Sequence, residues 1–305
     1  MSTQLETTHQ SSVTEDQIDH LGHMNVRFYG ANAVAGGDAL VNTMASDVPI
    51  TLRPYDAYTR HHREQLLGSR LVVRSGVLAA DATALRLYHE LANEESGVLA
   101  ATFVHRCSIP SSSTDGLIAL PSALVASAIE RSGEIPPHGA SRSINIDVDP
   151  HQSAPTFDEA TARGLAMRKV RAVSEEECDA TGAYILSAAP MLTWGGESAT
   201  NKVPEMLHDV PGGIRMGWAS METRHVIARL PRLGDRVQSF SAVVRLEDKT
   251  SQRMMWVFDV DSGELLTTFE IVNLAFDIEA RAAMSIPERI RSWEASALHA
   301  DLAPR

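Results

Sequence analysis

The chain has 305 residues, 44% of them hydrophobic, and its 27 basic against 39 acidic side chains leave a formal net charge of -12. That length exceeds one ordinary domain, and the composition suits a folded protein with an ample core. The acidic balance argues against a nucleic-acid-binding face, although a local arginine cluster can still hold an anionic small molecule.

In chain order, residues 1–12 are polar and read as a disordered tail. There is no basic start with an apolar run and no stretch near the roughly 20 apolar residues of a membrane span, so the expected compartment is the cytoplasm. After Asp19-His-Leu-Gly22-His23-Met-Asn25, a helix is expected over 25–44, rich in alanine and glycine, which lets another layer come close. The basic cluster Arg60-His61-His62-Arg63 precedes Glu64 and Gly68. Strands follow near 69–79, 83–92 and 97–107, linked by turns such as Asn93–Gly97. Residues 111–165 hold Ser111-Ser-Ser, Pro121, Pro136-Pro137, Pro150 and Pro155, and read as a connector with one helix near 121–132. A second set of strands is expected near 235–246, 250–260 and 264–276, inside a second domain over 166–292, with a tail at 293–305. Cys107 and Cys178 sit in apolar surroundings and read as core residues, not as a disulfide or metal site.

The two halves are copies. Val13-Thr-Glu-Asp-Gln-Ile-Asp19-His-Leu-Gly22 recurs as Val173-Ser-Glu-Glu-Glu-Cys-Asp179-Ala-Thr-Gly182, and Gly36-Gly37-Asp38 is echoed by Gly195-Gly196-Glu197. Further on, Gly68, Ser96-Gly97 and Phe103 match Gly234, Ser262-Gly263 and Phe269 at a constant spacing of 166. An ordered series of matches across a whole half indicates duplication. One long helix followed by an antiparallel meander, twice over, is an α+β chain with domains at 13–110 and 166–292.

An aspartate just before a helix start lies beside unpaired N–H groups and the positive end of the helix dipole. Hydrolytic attack on a carbonyl asks for such a pairing: a carboxylate to attack the carbon or activate water, and donors aimed at the developing oxyanion. Gly22 permits the tight turn between carboxylate and helix. The N–H groups of Asn25 or Val26 are the candidate oxyanion donors. The plain structural reading of Asp19 is a turn or cap residue.

The string Asp19-His-Leu-Gly22-His23-Met-Asn25-Val-Arg-Phe-Tyr29 resembles the D-x-x-G-H-x-N-x-x-x-Y signature of hotdog-fold acyl-CoA thioesterases of the 4-hydroxybenzoyl-CoA thioesterase-like superfamily. The segment Arg63-Glu64 to Gly68 and the duplication are similar to its double-hotdog members. The resemblance implies a tandem double hotdog, each unit a curved antiparallel sheet wrapped around a central helix. It implies Asp19 as nucleophile or general base, His23 and Asn25 as positioning or proton-handling partners, and Glu64 as an acid near the thioester. Tyr29 would line the acyl pocket, and Arg60 and Arg63 would hold the phosphates of coenzyme A. Acyl-carrier-protein thioesterases have an asparagine where Leu21 stands here, which favours an Asp-centred mechanism over an Asp-Asn-His triad. Asp38, inside the helix, is a reserve candidate.

No metal-ligand spacing is visible, and no cofactor is expected beyond coenzyme A as part of the substrate. In the second half His23-Met-Asn25 becomes Ala183-Tyr-Ile185, Leu230 stands where Glu64 does, and Pro190 interrupts the helix window. One working site and one degenerate copy follow, with Met191, Trp194 and Trp218 as candidate wall residues. The expected partner is a small acyl thioester, with no nucleic acid or membrane, and further self-assembly stays open. The competing readings are an enoyl-thioester hydratase of the same fold and a non-catalytic acyl-thioester binder.

Overall fold

The computed structural model describes residues 3–19, 22–45, 50–110, 117–180, 182–185, 209–210 and 214–305. They divide into two compact units, 1–141 and 142–305. In the first, five antiparallel strands, β1 (Glu6–Ser12), β2 (Arg53–His61), β3 (Arg70–Ala80), β4 (Ala84–Asn93) and β5 (Leu99–Pro110), stand in the order β1-β3-β4-β5-β2. Helix α1 (Val26–Met44) packs on β1, β3 and β4, and α2 (Ser122–Glu130) adds to the same layer.

The apolar positions of α1 recur at helical spacing and split into two groups. Tyr29 and Ala33 meet Leu71, Val73, Leu91 and Phe103 near its start. Leu40, Val41 and Met44 meet Val77, Leu85, Leu87 and Leu124 near its end. Each fully buried side chain of this size is worth about 1.5–3 kcal/mol. Between the two groups the backbone presses on the sheet: a Cβ at Gly36 would stand 2.6 Å from Val73 Cγ1. The helix begins at an asparagine cap and stops at Ala45, whose N–H still reaches Val41 O.

In the second unit four long strands, Ile214–Ile227, Leu265–Asp277, Thr250–Asp259 and Arg236–Leu246, are neighbours in that order, with Ala166–Met167 beside the last. The duplication extends to backbone irregularities. Bulges fall at Pro54/Asp56 and Ser220/Glu222, at Val77/Ala79 and Val243/Arg245, and at Leu91/Ala92 and Val257/Phe258. Every pair keeps the spacing of 166 seen in the residue matches. A bulge re-aims a strand locally and persists within a family, so these shared bulges mark common descent independently of residue identity.

The expected boundaries need correction. Residues 6–12 are no disordered tail, because β1 pairs with β3 from Glu6 to Ser12. The described residues of the expected connector, 117–165, do not stand apart from the two units. Leu124 and Ala128 of α2 join the first core, while Ala160 and Leu165 join Phe240, Trp256 and Phe258 in the second. The end of the chain is also built in: helix Glu288–Ser296 buries Ile290, and Leu302 is 4% exposed. The helix window with Pro190, and Met191, Trp194 and Gly195–Glu197, lie outside the described residues. Trp218 lies partly exposed on its strand.

Candidate active site

The segment before α1 is a small hydrogen-bonded turn. Asp19 N–H donates to His23 O at 2.8 Å, Gly22 N–H to Asp19 O at 3.0 Å, and His23 N–H to Asp19 Oδ1 at 3.2 Å. Gly22 has φ +84°, a left-handed conformation that only glycine adopts freely. The second unit repeats this turn bond for bond: Asp179 N–H to Ala183 O at 2.8 Å, Gly182 N–H to Asp179 O at 2.9 Å, and Ala183 N–H to Asp179 Oδ1 at 3.2 Å. Gly182 has φ +75°. The aspartate and glycine kept in both halves therefore have a shared structural task. Gly22→Ala and Gly182→Ala are each expected to cost about 1–2 kcal/mol of stability for forcing a Cβ into this region. Equilibrium unfolding of the two variants checks it, and a gap well above 1 kcal/mol would contradict a common turn.

What the turn carries differs between the units. In the first, His23 Nε2 lies 3.2 Å from Glu64 Oε2, the imidazole mostly covered and the carboxylate 45% exposed. At the equivalent places the second unit has Ala183 and Leu230.

Asn25 serves as the cap of α1, its Oδ1 accepting the Arg27 N–H at 3.1 Å. Asn25 N–H donates to Gln17 O at 2.8 Å, and Phe28 N–H donates to Asn25 O at 3.0 Å. Of the two oxyanion candidates, the Asn25 N–H is thus engaged. Among the described residues the Val26 N–H has no acceptor, and the Val26 side chain is 45% exposed.

Tyr29 departs from the expectation that it lines an acyl pocket. It is 4% exposed, its hydroxyl donates to Arg63 O at 3.3 Å, and it accepts from Gln65 N–H at 3.1 Å. The phenol therefore grips the backbone on both sides of Glu64 and fixes that loop to the start of α1. Burial, together with the negative charge of Glu64 and Asp19 nearby, pushes its pKa up to about 12. The same interaction places Asp19 and Glu64 around one phenol. Tyr29→Phe leaves the buried Gln65 N–H without its acceptor and is expected to cost about 1–3 kcal/mol. It should also lower turnover by loosening Glu64; a stability loss with unchanged kcat would rule out the second effect.

The basic cluster is divided. Arg60 Nη1 donates to the carbonyls of His138 and Ala140 at 3.0 and 2.9 Å, an internal strap and not a phosphate clamp. His61, partly buried, packs edge-on against Tyr29, and His62 Nε2 meets Thr102 Oγ1 at 3.2 Å. Arg63 is exposed in the loop next to Glu64. Asp38 is displaced from this group: it lies 12 residues, about 18 Å, beyond Val26 along α1. There it takes a backbone N–H from Leu52, and burial raises its pKa. Among the described residues, no helix is long and apolar enough to cross a membrane.

A model of the thioesterase-like superfamily matches residues 13–138, nearly the whole of the first unit and all of the site just described. Over those residues the first unit is similar to that superfamily. The chain is also similar in sequence to the L-carnitine dehydrogenase/betainyl-CoA thioesterase of Agrobacterium fabrum. The two are 29% identical over 142 residues, covering 44% of this chain and 29% of that protein. The chain thus spans under a third of that relative's length. The likeness in fold runs across both units. The 12:0-ACP thioesterase of Umbellularia californica superposes with a TM-score of 0.65 at 7% identity, covering 89% of this chain and 94% of its own. An acyl-ACP thioesterase from Bacteroides thetaiotaomicron gives 0.62 at 10% identity, covering 88% and 97%. At such identities the fold alone is shared, and it is the tandem double hotdog that the resemblance implied.

Proposed function

We propose that this chain is an acyl-thioester hydrolase, acting on acyl-CoA, whose working site is the Asp19–Val26 turn of the first unit with Glu64 beside it. The observation that carries this reading is the contrast between the two copies of one turn. Both keep the aspartate and its backbone bonds, and only the first adds the His23–Glu64 pair at 3.2 Å.

In this reading the carbonyl oxygen of the thioester faces the N–H of Val26, the first donor of α1, where the helix dipole adds to the stabilisation of the developing negative charge. Asp19 either attacks the carbonyl carbon, giving an anhydride that water then opens, or takes a proton from the attacking water. In both versions the C–S bond breaks, the thiolate leaves and collects a proton, and the products are a carboxylic acid and a free thiol. His23, held by Glu64, orients the attacking group and handles that proton. Exposed Arg63, in the same loop, is the remaining candidate for the coenzyme A phosphates. The match to the thioesterase-like superfamily and the likeness to a betainyl-CoA thioesterase support hydrolysis of a coenzyme A thioester.

The test is a free-thiol assay with the purified chain on a panel of short, long, branched and aromatic acyl-CoAs and an acyl-carrier-protein thioester. Thiol release from at least one acyl-CoA at a catalysed rate is expected. Release from the carrier-protein thioester alone would move the substrate, and release from none would refute hydrolysis.

A further inference from the structure

The loop that carries Glu64 is tied down in the two units by different side chains. In the second unit the place of Arg63 is taken by Arg229, which meets three carboxylates: Asp235 at 3.3 Å, Asp259 at 2.8 Å and Glu264 at 2.9 Å. At the same spacing of 166 the first unit has Ser69, Asn93 and Val98, so all three acids are gone. None of these can hold Arg63 as an ion, and it lies exposed.

A pair of amides holds the loop instead. Gln65 is 4% exposed; its Nε2 donates to Glu64 O at 2.9 Å and to Arg63 O at 3.4 Å, and its Oε1 accepts from Asn93 Nδ2 at 3.2 Å. Asn93 Oδ1 is committed to the turn after β4, where it takes the N–H groups of Glu95 and Ser96 at 3.2 and 3.0 Å. Its nitrogen therefore faces Gln65, which must turn its oxygen to Asn93 and its nitrogen to Glu64. The backbone of Gln65 completes the hold, its carbonyl accepting the N–H of Met24, next to His23, at 2.8 Å. The second unit keeps the backbone half of this arrangement and drops the amides. Tyr184 N–H still meets Pro231 O at 3.1 Å, but proline has no side-chain donor. Asp259 Oδ1 still takes the N–H groups of Asp261 and Ser262 at 2.8 and 2.9 Å, while its other oxygen goes to Arg229. The turn task of this position is thus common to both units. The amide nitrogen belongs to the unit that has His23 and Glu64.

We propose that Gln65 and Asn93 are positioning residues of the first unit: Asn93 orients the Gln65 amide, and that amide fixes the backbone of Glu64 so that its carboxylate meets His23. The assignment rests on the hydrolase reading above. Glu64 needs such help, because its carboxylate is 45% exposed and a long exposed side chain has much rotamer freedom to lose. An acid at position 93 would undo the arrangement in two ways. Two oxygens cannot share a hydrogen bond without a proton, so the Gln65 amide would turn over and set its own oxygen against Glu64 O. The new carboxylate would also draw in Arg63, as Asp259 does Arg229.

The experiment is a double-mutant cycle on kcat, at saturating concentration of one thioester that the wild type hydrolyses. It uses Asn93→Asp, Gln65→Met and Glu64→Gln, each alone and the first two combined with Glu64→Gln. Asn93→Asp keeps the acceptor of the turn and installs what the second unit has at that place. With Glu64 present it should lower kcat by about tenfold, the scale of one ordinary hydrogen bond carried into the barrier. Gln65→Met should lower it by at least as much. In the Glu64→Gln background each should change kcat by less than about twofold, the usual scatter of such cycles, because the acid they position is gone. A merely structural role would lower kcat by the same factor in both backgrounds, and that result overturns the assignment. So does an unchanged kcat in Asn93→Asp, or in Glu64→Gln itself; in each of these cases the hydrolase stands. If Gln65→Met fails to fold, Asn93→Asp decides alone. Absence of hydrolysis of every thioester by the wild type overturns the hydrolase reading and this one together.

Discussion

Replacing Val26 with proline is expected to lower kcat by about 10²–10³ through loss of a single N–H, the size of effect seen when one oxyanion donor is removed. The position suits the experiment. Val26 is the first residue of α1, where proline is favoured because its fixed φ fits and its missing N–H has no intrahelical partner. Asn25, which would precede the proline, already has φ -61° and ψ 139°, the extended conformation that a residue before proline prefers. The cap bond from Arg27 N–H to Asn25 Oδ1 does not involve residue 26 and should persist. Unfolding free energy should therefore stay within about 0.5 kcal/mol of wild type, the range of exposed substitutions away from special features. Val26→Ala keeps the N–H and should keep kcat. Measured together by steady-state kinetics and denaturant unfolding, the two variants separate the backbone donor from the side chain. A proline variant with unimpaired kcat would remove the helix start from the mechanism.

The helix, three strands in each half and the duplication are legible because their apolar residues recur at helical or alternating spacing and their turns carry glycine. β1 is not, because Glu-Thr-Thr-His-Gln-Ser-Ser has no apolar face and exists as a strand only through pairing with β3. β2 contains Pro54 and is bulged there, which hides its register. The site shows the same division. Asp19, Gly22, His23 and Asn25 lie close together in sequence and so are visible as one motif, and His23 meets Glu64 only through the fold. Tyr29 and Arg60 are assigned differently by the structure, since a tyrosine's or arginine's partners are backbone groups brought near only by the fold. The pairing of Gln65 with Asn93 joins a loop to the end of a strand and leaves no local pattern. The aspartate itself reads two ways from sequence, as turn residue or as acid, and the geometry explains the ambiguity: the turn task is present in both units.

That double identity makes Asp19 and Asp179 a matched pair, and Asp19→Asn the substitution with the largest expected effect. Asparagine retains an oxygen to accept the N–H four residues on, so the turn bond of 3.2 Å present in each unit can survive either change. What is lost is the negative charge, which in the proposed reading is what attacks the thioester or activates the water in the first unit. Asp19→Asn should reduce kcat/KM by about 10³ or more, within the range for loss of a positioned acid–base group or nucleophile. Asp179→Asn should stay within about twofold, as expected of an exchange with no chemical role. Neither should shift the unfolding midpoint appreciably, and the two shifts should agree. The decisive measurement is thus kcat/KM for one acyl-CoA substrate in wild type, Asp19→Asn and Asp179→Asn, side by side. A collapse confined to Asp19→Asn is the predicted result. Equal losses from both, or none from Asp19→Asn, would contradict a single working site in the first unit.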